Sequence, residues 1–221
     1  MSSSVNAVIA ELKAKVHSME GSAARWPMPT HPALSELLEL RSGAAYCVQA
    51  PSLAMLVMAG PSAAGAWSAV VGVPQFGIEA AQGFGVKTDR LVSIPEVPRG
   101  ETLSVLAALI DVVDVIVVSP TVVSPRDAAR LTARMREKQC VIVTWGAWPQ
   151  AEAHIGWSQI QWEGLGQGHG NLQSRQVTLE VRRGDRVLGR RRLWFPDEEL
   201  AIRPVEPLHP VQPLRVVRSA P

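Results

Sequence analysis

Two short segments of this sequence have the spacing that phosphate and Mg²⁺ chemistry requires, but both lack the residues that would perform it. A phosphate-binding loop needs a glycine at each end, so that backbone N–H groups can wrap the phosphate, then a lysine and a hydroxyl residue. Gly60 and Gly65 have the right separation, but Ala66 and Trp67 occupy the lysine and hydroxyl positions. A buried strand that holds Mg²⁺ through water should end in an acidic residue, and Ser119 stands there. We therefore predict no catalytic residue, no metal site and no cofactor.

The neighbouring sequence indicates that the glycine spacing is accidental. Ser52–Ala59 has helical composition and Trp67–Val73 has the pattern of a strand, which favours a helix-to-strand loop at Gly60–Gly65. A true phosphate loop would instead follow the predicted strand Ala44–Gln49. The segment Ala50–Leu53 at that point contains neither glycine nor lysine. On either alignment, the loop that would hold phosphate is missing.

The elements that would position such a site alternate in type along the chain. Short Val/Ile-rich strands alternate with helices, which is the pattern of βαβ units and a mostly parallel sheet. The predicted strands are Ala44–Gln49, Trp67–Val73, Leu91–Ile94, Val115–Val118 and Val141–Thr144. Helices are predicted at Thr102–Val113 and Arg126–Lys138, each with one apolar face. The sequence thus predicts an α/β fold, a mostly parallel sheet flanked by helices.

Tryptophan and glycine become frequent after Thr144. The tryptophans are Trp145, Trp148, Trp157 and Trp162, and the glycines are Gly164, Gly166, Gly168 and Gly170. Rings beside flexible glycines can form a platform on which single-stranded bases stack, so Trp157 and Trp162 are candidate nucleic-acid contacts. The alternative is that the rings cover the edge of the sheet, because large aromatic side chains dominate cores and interfaces.

A basic antiparallel hairpin is predicted from Gln176–Arg182 and Val187–Phe195. Its candidate DNA or partner contacts are Arg182, Arg183, Arg186, Arg190, Arg191 and Arg192, and the single acid among them is Asp185. Such a patch can contact the phosphate backbone of a nucleic acid. Charges on edge strands also protect against aggregation, and both interpretations stay open. Strand alternation places Arg190 and Arg192 on one face and Arg191 on the other.

The two ends of the chain differ from this body. An amphipathic helix is predicted from Val5 to Glu20, and its apolar stripe makes it a candidate association helix. The stripe consists of Val5, Val8, Ile9, Leu12, Val16 and Met19. The proline-interrupted linker Trp26–Pro32 separates this helix from the body. The helix can fold back on its own core or dock on another protomer, and the sequence does not decide between these.

The last residues alternate proline with apolar side chains. Prolines recur at positions 204, 207, 210 and 213, a composition that forms no core of its own and is typical of extended, polyproline-like recognition. We therefore divide the chain into an N-terminal helix and linker (1–33), a core (34–195) and a proline-rich tail (196–221).

Composition narrows the class of protein further. The chain has 221 residues and a net charge of +2, so any affinity for nucleic acid must come from a local patch. Cys47 and Cys140 fall in predicted strands and are expected to be small buried hydrophobes. The five histidines lack metal-ligand spacing. No signal peptide and no apolar run long enough to span a bilayer are recognised, which predicts a cytoplasmic protein.

Four segments resemble the RecA family. Ala7–Gly21 resembles the N-terminal helix of RecA, which in that family docks on the neighbouring protomer. Gly83–Pro95 looks like the turn that leads into the third strand, and Val113–Val118 matches the Walker B strand without its final Asp. Gly170–Arg183 is similar to the end of the second DNA-binding loop and the strand after it. The resemblance implies a RecA-like core between an N-terminal helix and a C-terminal antiparallel hairpin.

The departures from RecA point to a more specific group. The loop lysine and threonine are absent, and Gly146 and Trp148 stand near the position of the family's γ-phosphate-sensing Gln. A short RecA-like chain without its ATPase residues resembles the ImuA group of the RecA/SulA-like set, particularly the actinobacterial form written ImuA′. The resemblance implies a non-catalytic accessory factor of an SOS-induced, error-prone translesion DNA synthesis complex, associated with the nucleoid after DNA damage.

Partners also follow from this resemblance. They are an ImuB-like Y-family polymerase homologue, a specialised replicative-type polymerase, single-stranded DNA and a second copy of the chain; no membrane is expected. The alternative is a SulA-like cell-division inhibitor that binds the tubulin-like division protein. That group shares the degenerate core but is shorter, so the N-terminal helix and the proline-rich tail argue against it.

Overall fold

A computed structural model describes residues 25–119, 121–164 and 173–205. The predicted association helix, the part of the predicted tail (196–221) that begins at residue 206, and Gly166, Gly168 and Gly170 lie outside the described residues. The chain therefore enters the described structure at Arg25 and leaves it at Val205.

Helices and strands alternate through the first two thirds of this structure, and strands follow. The helices are α1 (Pro32–Ser35), α2 (Pro51–Ala63), α3 (Ile78–Gly83), α4 (Thr102–Leu109) and α5 (Pro125–Lys138), with a 3₁₀ turn at Thr88–Arg90. The strands are β1 (Pro27–Met28), β2 (Leu40–Arg41), β3 (Ala45–Val48), β4 (Ser68–Val71), β5 (Leu91–Ile94), β6 (Val115–Val118), β7 (Val141–Thr144), β8 (Ala153–Glu163), β9 (Ser174–Arg183), β10 (Arg186–Trp194) and β11 (Arg203–Pro204).

One large sheet of the described residues joins most of these strands in the order β11-β10-β9-β8-β3-β7-β6-β4-β5. The pairs from β8 through β3 to β5 are parallel, whereas the pairs from β8 to β11 are antiparallel. Strand β8 serves both parts: Ala153 pairs with Tyr46 of β3, and Trp157 pairs with Leu179 of β9. The predicted fold class is confirmed: a mixed α/β protein with a largely parallel sheet flanked by helices and C-terminal antiparallel strands.

The central strands are buried on both faces, which explains their sequences. All four residues of each of β3, β4, β6 and β7 are buried, and β-branched residues pack well on such a pleated surface. Helix α2 packs on one face of the sheet, and buried side chains of β9 and β10 belong to the same core. Helices α4 and α5 pack on the other face. The predicted strands Leu91–Ile94, Val115–Val118 and Val141–Thr144 have the predicted bounds.

Two predicted boundaries are corrected. Helix α2 continues through Gly60 to Ala63, so the loop predicted to begin at Gly60 begins later. Helix α4 ends at Leu109 rather than Val113, because residues 110–114 turn to bring the chain back to the start of β6. There the backbone N–H of Asp114 donates to the carbonyl oxygen of Trp67 at 3.0 Å. Strand β8 was not predicted.

The predicted linker Trp26–Pro32 is also corrected, because it packs against the body. Strand β1 within it pairs with β2. The backbone N–H of Trp26 donates to Ser42 Oγ, and Ser42 N–H donates to the carbonyl oxygen of Trp26, each at 2.9 Å. The segment also crosses α2 at Gly60, where a Cβ would lie 2.6 Å from the carbonyl oxygen of Pro29. Hydrogen bonds and close backbone contact thus fix this segment to the core.

Candidate functional site

The carboxyl edge of the parallel sheet, where β3, β4, β6 and β7 end, is where ligands bind in α/β folds of this type. Strand β3 ends at Val48 and α2 begins at Pro51, so two residues connect them. Ala50 caps the helix in an extended conformation with no side-chain hydrogen bond, and Pro51 fills the first turn. Proline has no N–H. This end of α2 therefore offers neither a loop nor a full set of amide donors to a phosphate.

Ser119 follows β6 on the same edge. Its backbone N–H donates to the carbonyl oxygen of Val71 at 3.0 Å, which extends the ladder between β4 and β6 by one residue. A Cβ at Gly72 would lie 2.6 Å from Ser119 Oγ, so this hydroxyl packs directly on the Gly72 backbone. Gly72 has φ of +69°, a left-handed conformation that glycine adopts without strain. The residue in the magnesium position therefore makes a packing contact.

Trp148 fills the part of the carboxyl edge beyond β7. It is 4% exposed and belongs to the core on the α4–α5 face. Its indole Nε1 is buried without a hydrogen-bond partner among the described residues. Trp145 is half-buried against the opposite core. Trp148 is therefore a core residue.

A cavity of about 430 Å³ lies where β3 and β7 end beside β8 and β9. Its wall includes Cys47, Gln49, Trp145, His154, Glu180 and Arg182. Gln49 Oε1 accepts a hydrogen bond from the backbone N–H of Trp157 at 2.8 Å. Burial raises the pKa of the Cys47 thiol, which disfavours the reactive thiolate. The cavity can hydrogen-bond a polar group, but its thiol is a poor nucleophile.

The two cysteines are buried and free, as predicted. Burial, together with the nearby charge of Asp114, raises the pKa of Cys140 to about 12. Within the described ranges, no three His, Cys, Asp or Glu side chains are grouped so that they could hold a metal ion. None of the helices described is long and apolar enough to cross a membrane.

Several arginines of the predicted hairpin are neutralised by carboxylates of neighbouring elements. Arg190 Nε lies 2.5 Å from Glu180 Oε2, and Arg182 Nε lies 3.7 Å from the other oxygen of the same carboxylate. Arg183 pairs with Glu152, which also pairs with Arg25. The patch is therefore less positive than the sequence of the hairpin alone indicates.

The remaining arginines divide by face. Leu193 of β10 and its partner Val177 of β9 are buried, and Arg191, two residues earlier, is on that face. It lies 3.0 Å from Glu36 after α1. Arg190 and Arg192 lie on the opposite face, so the predicted division of these three arginines is confirmed. Among the described residues no carboxylate lies within ion-pair distance of Arg186 or Arg192, and Arg192 Nη2 is 3.5 Å from Gln161 Oε1.

The candidate stacking residues Trp157 and Trp162 are brought together around Arg175. The guanidinium carbon of Arg175 lies 4.8 Å from the ring centre of Trp157 and 5.2 Å from that of Trp162. Trp157 also meets Phe195 edge-to-face at 5.2 Å between ring centres. Burial lowers the pKa of Arg175. The protein's own cation occupies one face of each indole, and Trp162, which is 45% exposed, is the more accessible of the two.

Sequence reasoning missed the carboxylates that pair with these arginines. The ion pair of Glu180 with Arg182 could have been predicted, since Glu180 lies two residues before Arg182 on the same strand and therefore on the same face. Glu152 and Glu36 are distant in sequence from the arginines they contact, so no local sequence pattern predicts those ion pairs.

Comparison with known proteins adds two findings. A family model described as the MT3502 N-terminal domain matches residues 33–150, which run from α1 to the residues before β8. The chain is also similar to "Uncharacterized protein Rv3395c" of Mycobacterium tuberculosis (strain ATCC 25618 / H37Rv). The two are 37% identical over 102 residues, which are 45% of this chain and 50% of the relative. The chain thus spans about half the length of this curated relative.

Proposed function

This chain belongs to the MT3502 N-terminal domain family, and we propose that it is a non-catalytic accessory factor of an SOS-induced, error-prone translesion DNA synthesis complex. It acts through contacts with an ImuB-like Y-family polymerase homologue and with single-stranded DNA, as the resemblance to the actinobacterial ImuA′ group implies. A specialised replicative-type polymerase and a second copy of the chain are the further expected partners.

The carboxyl edge of the sheet is the observation that carries this proposal. The position of the phosphate loop is a two-residue connection followed by Pro51, and the position of the magnesium ligand is Ser119 packed on Gly72. Phosphoryl transfer depends on positioning and on electrostatic stabilisation by the loop, the lysine and the metal ion. A RecA-like core that lacks all of these supports a role in binding.

The outer face of β9 and β10 supports a contact with nucleic acid. Arg192 has no acidic partner among the described residues, and Arg190 shares Glu180 with Arg182. Cationic side chains on one exposed face can follow a phosphate backbone without reading its sequence. The exposed ring of Trp162 lies on the other face of the sheet, beside Arg175, and is a separate candidate contact.

Nucleotide binding gives the first test. We expect a fluorescent ATP analogue with Mg²⁺ to show no saturable binding to the purified chain, because the amide cradle and the cation are missing. Saturation at micromolar analogue would contradict the non-catalytic part of the proposal.

Partner binding gives the second test. The full chain is immobilised and offered the ImuB-like homologue from the same organism and, separately, the tubulin-like division protein. We expect retention of the first and none of the second. Retention of the division protein alone would support the SulA-like alternative, and retention of neither protein would overturn the proposed complex.

A further inference from the structure

Three large apolar side chains are exposed at the amino edge of the parallel sheet, which we define as the edge where β3, β4, β6 and β7 begin. Trp26, Trp67 and Val112 are 55%, 46% and 70% exposed. Trp67 directly precedes β4, and Val112 lies three residues before β6. Exposed apolar side chains mark an interaction site where they form a contiguous patch.

A series of hydrogen bonds shows that these residues share one edge. Trp26 exchanges hydrogen bonds with Ser42, and the next residue, Gly43, donates its N–H to the carbonyl oxygen of Cys140 at 2.9 Å. Val141 N–H then donates to the carbonyl oxygen of Asp114 at 2.8 Å, and Trp67 N–H donates to the carboxylate of Asp114 at 2.7 Å. Trp26 and Trp67 therefore lie at the two ends of one row of neighbouring strand starts, in the order β3, β7, β6 and β4.

The chain enters the described structure at one end of this surface. Arg25 pairs with Glu152 just before β8, and Trp26 is fixed by Ser42. Residues 1–24 precede this point, and within them the sequence predicts an amphipathic helix from Val5 to Glu20 followed by a short connection. Its apolar stripe needs a surface to cover, and its attachment point is beside exposed apolar side chains.

We propose that this N-terminal helix lies across the amino edge of its own chain and covers Trp67 and Val112. A helix of that length spans about 24 Å, whereas three strand spacings separate β3 from β4, or roughly 14 Å. The helix is long enough to reach from the attachment point across the whole surface. A short tether also raises the effective concentration of the helix at this edge to about the millimolar range, which favours its own chain over a second copy.

Quenching of tryptophan fluorescence by acrylamide tests this docking in the isolated full-length chain, without partner or nucleic acid, so the result does not depend on the proposed function. The fluorescence of Trp67 is obtained for each protein by subtracting the fluorescence of the same protein with Trp67→Phe. Ile9→Asp with Leu12→Asp places charge in the apolar stripe, and unpaired burial of charge is costly. We expect this double variant to raise the quenching constant of Trp67 roughly twofold, since an undocked helix returns the indole to solvent.

Ala7→Asp with Ala14→Asp is the matched control, because both positions lie on the opposite side of the predicted helix and add the same charge. We expect it to leave the quenching of Trp67 unchanged. Deletion of residues 1–20 should reproduce the effect of the stripe variant. Equal quenching in the deleted and intact chains would overturn the proposal. So would protection of Trp67 that disappears on dilution, because it would place the helix on a second copy.

Discussion

Gly60, which has the spacing of a phosphate-loop glycine relative to Gly65, has a packing role in the structure. A Cβ at this position would lie 2.6 Å from both the Pro29 carbonyl oxygen and the His31 backbone nitrogen. Real Cβ atoms do not approach backbone so closely, and the backbone here is held by the β1–β2 pairing. The glycine therefore permits the segment before α1 to cross helix α2.

We expect Gly60→Ala to lower the free energy of unfolding by about 1–2 kcal/mol, because overpacking costs more than the gain in helix propensity returns. Gly83→Ala is the matched control. Gly83 also lies in a helix, but a Cβ there meets nothing within 4 Å, so it should stabilise by about 0.5–1 kcal/mol. Urea denaturation measures both; a stabilising Gly60→Ala would contradict the packing role.

Asp197 is a buried carboxylate that organises the turn before β11. It is 2% exposed, it pairs with Arg203, and it accepts the backbone N–H groups of Glu199 and Ala201 at 3.0 and 2.8 Å. The Arg203 guanidinium, followed by these amides, lowers the pKa of Asp197 below its ordinary value. In the unfolded chain the pKa of an Asp side chain is about 3.9. Because the pKa of Asp197 is lower in the folded protein, its ionised carboxylate stabilises the fold at any pH above that value, and this stabilisation is lost as pH falls through the folded pKa.

We therefore expect Asp197→Asn to destabilise the protein at pH 7, where the native carboxylate is ionised. The difference in unfolding free energy between variant and native protein should narrow as pH falls below about 4, because protonation of Asp197 removes the same charge. Urea denaturation of both proteins at a series of pH values measures this difference in unfolding free energy. The exposed Asp89→Asn provides the control, and a difference that stays constant down to pH 2 would show that the charge is unimportant.

Among the elements, the β9–β10 hairpin separates two roles for its arginines. Arg192 has no acidic partner among the described residues. Arg190 forms an ion pair with Glu180, and Arg191 forms one with Glu36, which follows α1. If the outer face contacts phosphates, Arg192→Ser should reduce the salt dependence of binding to single-stranded DNA by about 0.7 in the log–log slope. Arg190→Ser should have a smaller effect, because Glu180 already neutralises part of its charge.

Arg191→Ser is the internal control for this series. We expect it to leave the salt slope unchanged and to lower stability slightly, since it removes the contacts with Glu36 and with the carbonyl oxygen of Pro32. Fluorescence anisotropy with labelled single-stranded DNA, over a range of salt concentrations, compares the three variants. Identical slopes for Arg192→Ser and the native chain would assign the hairpin to protein contacts or to structure.

The same elements show what could be predicted from the sequence. The strands Val115–Val118 and Val141–Thr144 were predicted correctly because uninterrupted runs of aliphatic residues between helical segments fit buried parallel strands. The faces of Arg190, Arg191 and Arg192 followed from strand alternation. Strand β8 was missed because its central residues are polar and its alternation is broken by an irregularity between Ser158 and Gln161, where Gln159 has φ of 53°.

Much of the candidate site could not be predicted for a different reason. The pairs of Arg183 with Glu152 and of Arg191 with Glu36 join residues far apart in the chain. Likewise, the packing of Trp26–Pro32 on α2 depends on a tertiary contact at Gly60. Local pattern determines which face a side chain occupies, whereas its partner depends on how the elements assemble.

At the scale of the whole molecule, β8 connects two architectures. Residues 153–155 complete the parallel sheet beside β3, and the strand from His154 onward pairs on its other side with β9 in the antiparallel part. Buried residues of β9 and β10 belong to the same core as α2 and β3. We therefore expect one cooperative thermal transition for residues 25–205, because neither part can keep its core when the other unfolds.

Calorimetry measures this cooperativity through the ratio of calorimetric to van't Hoff enthalpy, which should be close to one for a two-state transition. Ile155→Ala, in the part of β8 that joins the two, should lower the transition temperature without splitting the transition. Two separate transitions would show that the hairpin is an independent folding unit.

The two-residue connection between β3 and α2 has an evolutionary consequence. A phosphate loop is eight residues long from its first glycine to its hydroxyl residue, whereas two residues separate Val48 from Pro51. Point mutations that introduced lysine, threonine or glycine here would still lack the length of backbone that surrounds a phosphate. A phosphate loop at this point would require an insertion, and the inserted residues would have to displace the proline that begins α2. Substitutions one at a time cannot create a phosphate loop in this connection.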